Sequence, residues 1–397
     1  MNKNILNTGV QEFINNNLNA DIMSVLLQKS IFDTISPKEL AEQIEAKKKC
    51  KNKLPSWYKT EKIYYPNKLN IEQCSSEITA EYKARIVGEK SLVDLTGGLG
   101  VDSFYFSKRI DQVFHCEINE DLSEIAAYNF DILKVKNIKM VPRDGMVYLQ
   151  SANQVYEWIY LDPSRRSEQK GKVFLLSECT PNIKEYQDLL FQKSKNILLK
   201  TSPILDISSG LNQLKHVKEV HIVAVNNEVK ELLWVLRDAF MDEVLVKTVN
   251  LKKGMEETFD YNWSEEKRTA LTCADPQNYL YEPNAAILKA GAFKLIAVDL
   301  EVNKLNEHSH LYTSKALVRF PGRSFKIETV IDYNKKELKK FSNSKANITV
   351  RNFPENVEKI RKRFKIKDGG DVYLFFTTMN NKQFKVIKCT KIKTDNS

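Results

Sequence analysis

The chain has 397 residues, 42% of them hydrophobic, and a formal net charge of +10. That length supports a sizeable core and exceeds one typical domain, which predicts two to four domains. No apolar run approaches the ~18 residues of a membrane helix. The polar Met1-Asn-Lys-Asn start lacks a signal-peptide core, and the six cysteines form no C-x-x-C pair. A cytoplasmic protein with no membrane partner, disulfide framework or structural metal is the expectation.

Residues 1–85 read as an N-terminal helical cap. Apolar spacing recurs in Val10-Gln-Glu-Phe-Ile14 and Ile22-Met-Ser-Val-Leu-Leu27, and Ser36-Pro-Lys-Glu-Leu-Ala41 is a capped helix start. The basic, aromatic stretch from Lys49 to Tyr58 reads as an exposed substrate edge or a connector, with the connector favoured. Ile71-Glu-Gln-Cys-Ser-Ser-Glu77 leads into a helix from Ile78 to Val87, with Ser75 or Ser76 suited to capping it.

The stretch Ser91-Leu-Val-Asp-Leu-Thr-Gly-Gly-Leu-Gly-Val-Asp102 runs from an apolar strand through a carboxylate and a glycine-rich turn into a helix. Such a turn lets backbone approach a ligand closely and offers it the unpaired N–H groups of a helix start, a cradle for a nucleotide cofactor. Ser103 stands where the dinucleotide fingerprint needs its third glycine, which counts against NAD. Val113-Phe-His-Cys-Glu117 predicts a second strand, ending in an acid able to accept both ribose hydroxyls. After a helix from Leu122 to Leu133, Ile138-Lys-Met-Val-Pro-Arg-Asp144 predicts a third strand. Trp158-Ile-Tyr-Leu-Asp-Pro-Ser-Arg-Arg166 predicts a fourth, ending at Asp162-Pro163.

A helix around Cys179 to Lys193, strands at 196–201, 220–224 and 243–248, and a helix from Glu228 to Leu236 complete a doubly wound sheet over 86–250. Residues 251–325 change to shorter strands and helices, at 268–272, 285–298, 310–313 and 324–329, and read as a small α+β domain of ferredoxin-like type. A second α+β unit follows over 326–397. It holds 18 Lys and Arg against 8 Asp and Glu, while the rest of the chain balances. A positive excess gathered on one terminal unit is the electrostatic footprint of nucleic-acid binding. His308-Ser-His310 reads as a polar turn.

The ordered strand ends resemble those of the class I S-adenosylmethionine-dependent methyltransferases. The Gln73-Cys-Ser-Ser-Glu77 element, the Asp162-Pro-Ser-Arg-Arg166 motif, and a tail with Arg351-Asn-Phe-Pro354 and Lys367-Asp-Gly-Gly-Asp-Val-Tyr-Leu-Phe375 resemble a bacterial group carrying a C-terminal THUMP-like domain. The resemblance implies a Rossmann-like α/β fold and S-adenosylmethionine as cofactor. It assigns cofactor contacts to Asp94, Thr96, Gly97, Gly98, Gly100 and Asp102, the ribose to Glu117 and the adenine amine to Asp144. Gln73, Ser75 and Ser76, on the element before the first strand, become substrate-side polar contacts.

The same resemblance places catalysis at Asp162, Pro163 and Arg165. Amine methyltransferases carry Asn or Asp, Pro, Pro and an aromatic residue there; Ser164 and Arg165 depart from that pattern. Arg165 and Arg166 suit phosphate or base stacking instead. No cysteine stands at the Asp-Pro or at Lys200-Thr-Ser-Pro203, so attack on a pyrimidine carbon is disfavoured. A base nitrogen or ribose hydroxyl of tRNA or rRNA is the expected acceptor, with Asp162 orienting it or taking its proton and Lys200 touching substrate. A non-catalytic RNA-binding or assembly protein of the same fold, and a methyltransferase of proteins or small molecules, remain the alternatives.

Overall fold

In the computed structural model, which describes residues 1–165 and 176–392, the N-terminal helices are α1 (Thr8–Asn16), α2 (Ile22–Leu26), α3 (Pro37–Lys53), α4 (Pro55–Lys59), α5 (Lys68–Gln73) and α6 (Glu77–Ile86). Ser36 opens α3 with a full capping box: its hydroxyl accepts the Glu39 N–H and the Glu39 carboxylate accepts the Ser36 N–H, with Pro37 in the first turn. Leu40, Ala41, Ile44 and Cys50 bury the apolar side of this helix.

The chain divides into two compact units. The first is Met1–Lys218 with Leu233–Met241, the second Glu219–Leu232 with Asp242–Ser397. In the first, the strands are β1 (Ser91–Asp94), β2 (Gln112–Cys116), β3 (Ile138–Val141), β4 (Tyr156–Leu161) and, beyond a short antiparallel pair β5 (Ser164–Arg165) and β6 (Cys179–Thr180), β7 (Ser194–Thr201). Their order is β3-β2-β1-β4-β7, all parallel. The connecting helices are α7 (Val101–Phe106), α8 (Glu120–Ile132), α9 (Gly145–Ser151) and α10 (Ile183–Lys193), with α11 (Ile207–Gln213) after β7. The chain leaves β1 toward β2 on one side and reaches β4 on the other. That topological switch point opens a crevice at the carboxyl ends of these strands.

The chain passes between the units within β8 (Val217–Val225) and β9 (Glu228–Arg237). The segment expected as a helix from Glu228 to Leu236 is therefore a strand. Asn226 and Asn227 both have positive φ, +50° and +66°, the signature of a two-residue hairpin turn. Their side chains tolerate that conformation, and Leu232 through Leu236 are buried without a break, as a central strand demands. In the second unit, β8 also pairs in parallel with β10 (Leu245–Lys252), which turns at Lys253-Gly254 into the antiparallel β11 (Met255–Asn262).

Residues 268–272 form no strand: Arg268 ends the short helix α12 (Glu265–Arg268). A separate curved sheet then collects β12 (Tyr279–Pro283), β13 (Asn303–Lys304), β14 (Tyr312–Ser314), β15 (Gly322–Asp332), β16 (Asn347–Arg351), β17 (Val372–Thr378) and β18 (Phe384–Lys391), in the order β13-β14-β12-β15-β18-β17-β16. Helices α13 (Ala285–Ala290), α14 (Leu295–Asp299), α15 (Lys335–Leu338) and α16 (Val357–Phe364) complete the unit. One of its cores gathers Leu280, Leu305, Leu311, Phe325, Phe375, Met379 and Ile387, and another packs Ile360 and Phe364 of α16 against Leu374, Phe376 and Val386. Among the described residues no helix is long and apolar enough to cross a membrane, and no group of three or more His, Cys, Asp or Glu could hold a metal ion.

Candidate active site at the strand ends

The turn after β1 is held by side chains as much as by backbone. Asp94 is fully buried and spends both oxygens locally: Oδ1 accepts the Thr96 N–H at 3.0 Å and Oδ2 accepts the Ser103 hydroxyl at 2.6 Å. Burial pushes its carboxyl up to about 7, against the pull of those two hydrogen bonds. Ser103 also lies 3.0 Å from Nδ1 of His115, the residue that faces Asp94 in the parallel register of β1 and β2. Burial drives His115 down to about 4, so the ring is neutral. A Cβ on Gly97 would meet that ring at 2.2 Å, so only glycine lets the turn close over it. Asp94 therefore shapes the loop from beneath.

Gly98 faces the other way. Its φ is +57°, and a Cβ there would meet nothing nearer than the Thr96 carbonyl oxygen at 4.0 Å, which leaves the loop's outer surface clear for a ligand. Its N–H donates to Oε2 of Glu117 at 2.8 Å, while Oε1 accepts the Asn119 N–H at 2.8 Å. Glu117 is thus fixed in place at the end of β2 and remains partly exposed. Gly100 closes the turn through its N–H to the Gly97 carbonyl, 2.9 Å, and serves as N-cap of α7.

Asp144, at the end of β3, caps α9: Oδ1 accepts the N–H groups of Met146 at 2.8 Å and Val147 at 2.9 Å. Next to these two acids stand apolar side chains that sequence reasoning passed over. Ile118 is 68% exposed and Val147 57% exposed. Large aliphatic groups left in water beside partly exposed carboxylates suit a planar ring with polar edges. The signal lay in the sequence, an apolar residue directly after Glu117 in a loop.

At the end of β4 the Asp162 N–H donates to the Thr96 hydroxyl at 2.7 Å, which fastens the glycine loop to the Asp-Pro turn. The Asp162 carboxylate pairs with Lys200, from the end of the neighbouring strand β7. Pro163 follows, half-buried. Arg165 has its backbone in β5, opposite Cys179; its side chain and the whole of Arg166 lie outside the described residues.

Asp102 is directed inward, away from the loop surface. Its carboxylate accepts the Ser75 hydroxyl and the Tyr160 hydroxyl, each at 2.8 Å, and forms an ion pair with the fully buried Lys83 at 3.1 Å. Burial alone would raise this carboxyl; the Lys83 and Lys200 ammonium groups and the two hydroxyls outweigh it and hold the group below its usual range. Lys83 also donates to Ser75 at 2.8 Å. Ser75 is therefore part of the tie between α6, α7 and β4, Ser76 is the N-cap of α6, and Gln73 is exposed at the end of α5. Lys83, Tyr160, Ser103 and His115 were not singled out from sequence. Their partners lie far away along the chain, and a buried lysine leaves no periodic trace. Cys74, in the same loop, has its thiol pushed up to about 11 by burial, which makes it a weak nucleophile.

Comparison with known proteins adds three findings. A sequence model of a ferredoxin-like domain matches residues 279–321, and one of a THUMP-like domain matches residues 322–391. A solved structure from Porphyromonas gingivalis W83, described as a candidate methyltransferase, is 32% identical, covers 98% of this chain and 99% of that one, and superposes with a TM-score of 0.88. A Mycoplasma mobile protein named an uncharacterized RNA methyltransferase is 22% identical over 134 residues; the match takes in 34% of this chain and 33% of that relative.

Proposed function

Because the chain belongs to the class I methyltransferase family that ends in ferredoxin-like and THUMP-like domains, we propose that it methylates RNA with S-adenosylmethionine, at a base nitrogen or a ribose hydroxyl. The observation that carries this reading is the pairing of a fixed Glu117 with an open Gly98 surface, joined through Thr96 to the Asp162 turn. The residues fit the cofactor. Glu117 would take the ribose, Ile118 and Val147 the faces of the adenine, and the free side of Asp144 its amine. The bound cofactor supplies an electrophilic methyl group; what this chain supplies is position. Asp94, Ser103 and His115 hold the turn rigid from below, while Asp102, Lys83 and Tyr160 hold the element that carries Gln73 and Ser75.

Asp162, ion-paired with Lys200, is better suited to orienting an acceptor N–H or O–H than to removing its proton unaided. Support for RNA comes from the positive excess of the C-terminal unit, from its THUMP-like match and from the name of the Mycoplasma relative. In this reading residues 1–85 cap the site, 86–250 bind cofactor and carry out transfer, and 251–325 and 326–397 engage the substrate. Titration of the full chain with S-adenosylmethionine in a calorimeter tests the proposal, alongside folded Glu117→Ala and Asp94→Ala variants. Saturable binding weakened by Glu117→Ala is the expected result. Absence of binding by protein free of carried-over cofactor would refute the enzymatic reading.

A further inference from the structure

Among the described residues, three buried side-chain atoms around the ion-paired Glu282 in the second unit lack a hydrogen-bond partner: His310 Nδ1, Arg351 Nε and Thr377 Oγ1. Buried polar atoms are rarely left unpaired, so a concentration of them in one place calls for an occupant. The curved sheet assembles the cluster. Glu282 on β12 faces Arg323 on β15 and accepts its Nε–H at 2.7 Å, while Arg351 Nη2 lies 2.7 Å from the other Glu282 oxygen. Arg323 also reaches Thr349 Oγ1 at 3.4 Å, two residues before Arg351 on the same face of β16. Thr377 is the register partner of Arg351, so their side chains leave the sheet on the same side.

Charge and chemistry point to the kind of occupant. Two guanidinium groups share one carboxylate, and the buried Lys304 ammonium adds to the positive field around His310. Burial first, then Lys304, Arg351 and His308, depress the His310 imidazole to about 4, so its ring is neutral beside those cations. The ring stacks on Phe293 with 3.7 Å between centroids, which holds Nδ1 in a fixed direction. Glu282 is only 4% exposed, whereas Arg323 and Arg351 are 36% and 37% exposed, so the cationic side of the cluster is open to solvent. The guanidinium groups of β15 and β16, the Thr377 hydroxyl of β17 and the His310 imidazole of the loop before β14 are donors suited to an oxyanion, and Glu282 already supplies the carboxylate of the cluster.

We propose that Arg323, Arg351, His310 and Thr377 form a pocket for a phosphate group, and that RNA brings that phosphate to it. The source of the phosphate rests on the RNA reading above; the oxyanion site does not. It gives a shared role to two sequence features left over by the methyl-transfer site, the Arg351-Asn-Phe-Pro354 motif and the His308-Ser-His310 turn, and draws on residues outside the basic tail.

The test uses the full chain titrated with inorganic phosphate at an ionic strength held constant with chloride. Two oligoribonucleotides, identical except for a 5′-phosphate or a 5′-hydroxyl, are titrated in parallel. Arg351→Gln should weaken phosphate binding about tenfold or more, and Thr377→Val, which changes no charge and little shape, severalfold. A preference for the 5′-phosphate identifies a terminal group as the occupant. Equal binding of both oligonucleotides, each weakened to the same degree by a given substitution, identifies an internal one. If Arg351→Gln does not fold, Thr377→Val decides alone. Failure of phosphate and RNA to bind, or binding that neither substitution alters, overturns the proposal and leaves the orphaned atoms to buried water. Titration with S-adenosylmethionine is read separately, so loss of the methyltransferase reading would not be mistaken for loss of this site.

Discussion

Replacing Lys83 by methionine removes the buried ammonium that holds Asp102, and its cost follows from what remains. Lys83 is fully buried, and Asp102 would keep the Ser75 and Tyr160 hydroxyls but lose its ion-pair partner. Breaking a buried ion pair from one side costs about 3–5 kcal/mol. Lys200 still acts on Asp102, which puts the expectation near the lower end, about 3 kcal/mol. For a unit of this size that corresponds to a fall in Tm of roughly 6–12 °C. Scanning calorimetry that resolves the transition of the first unit is the assay, with Lys83→Met, Asp102→Asn and the double variant compared in a cycle. The double variant buries no unpaired charge and should lose at least ~1 kcal/mol less than the two single losses combined. The held-down carboxyl contributes stability above its ordinary pKa of 3.8 and loses it as pH falls through its lower folded value. The gap between wild type and Lys83→Met should therefore close only in acid below about pH 4. A loss under ~1 kcal/mol for Lys83→Met, or strict additivity in the cycle, would refute the tie described between α6, α7 and β4.

Gly97→Ala should abolish cofactor binding and lower the Tm of the first unit, since its Cβ has no room beside the buried His115 ring; Gly98→Ala, with open space above it but a φ of +57° that a side chain strains, should reduce affinity and lower the Tm less than Gly97→Ala does. Glu117→Gln removes the anion and leaves either the Gly98 or the Asn119 N–H without its acceptor, so calorimetry should read a weakening of S-adenosylmethionine binding by about tenfold or more, with a smaller fall in Tm than Gly97→Ala. The penalty of Asp94→Asn should depend on pH in a fixed direction. A carboxyl raised to about 7 in the folded protein contributes stability below its ordinary 3.8 and loses it as pH rises through 7, so the substitution should cost most near pH 4–5 and least near pH 8. Denaturant unfolding at these pH values reads the difference, and a penalty that grew with pH would contradict burial as the dominant influence on this carboxyl.

The strand ends were the legible part of this protein because a parallel sheet forces its chemistry to one edge. Asp94, Glu117, Asp144, Asp162 and Lys200 each follow an apolar run, and that pattern needs no knowledge of what packs beneath. The misread strand β9 has a specific cause. Glu228-Val-Lys-Glu-Leu-Leu carries residues that favour helices in isolation, and two central-strand neighbours override that propensity. Its correct signal was the Asn226-Asn227 pair. Roles within the site divide by distance along the chain. Ser76 as a cap acts three residues away and could be anticipated, whereas Ser75 reaches Asp102 27 positions on and Tyr160 reaches it across 58. The Glu282 cluster was invisible for the same reason, since the curl of a seven-stranded sheet brings its arginines together.

The two units are threaded through one another in sequence, and this limits how the protein can be taken apart. The chain enters the second unit at Glu219, returns to the first at Leu233 and leaves it again after Met241. A protease nick or a gene truncation near residue 250 would not release two intact pieces. It would part Glu219–Leu232 from the rest of the second unit and strip β11 from a truncated β10, leaving hydrogen-bonding edges open to other chains. Such fragments would tend to aggregate, and loss of RNA binding or methyl transfer by them would report damage to the fold instead of a division of labour. Point substitutions in the full-length chain are the sound way to separate its activities.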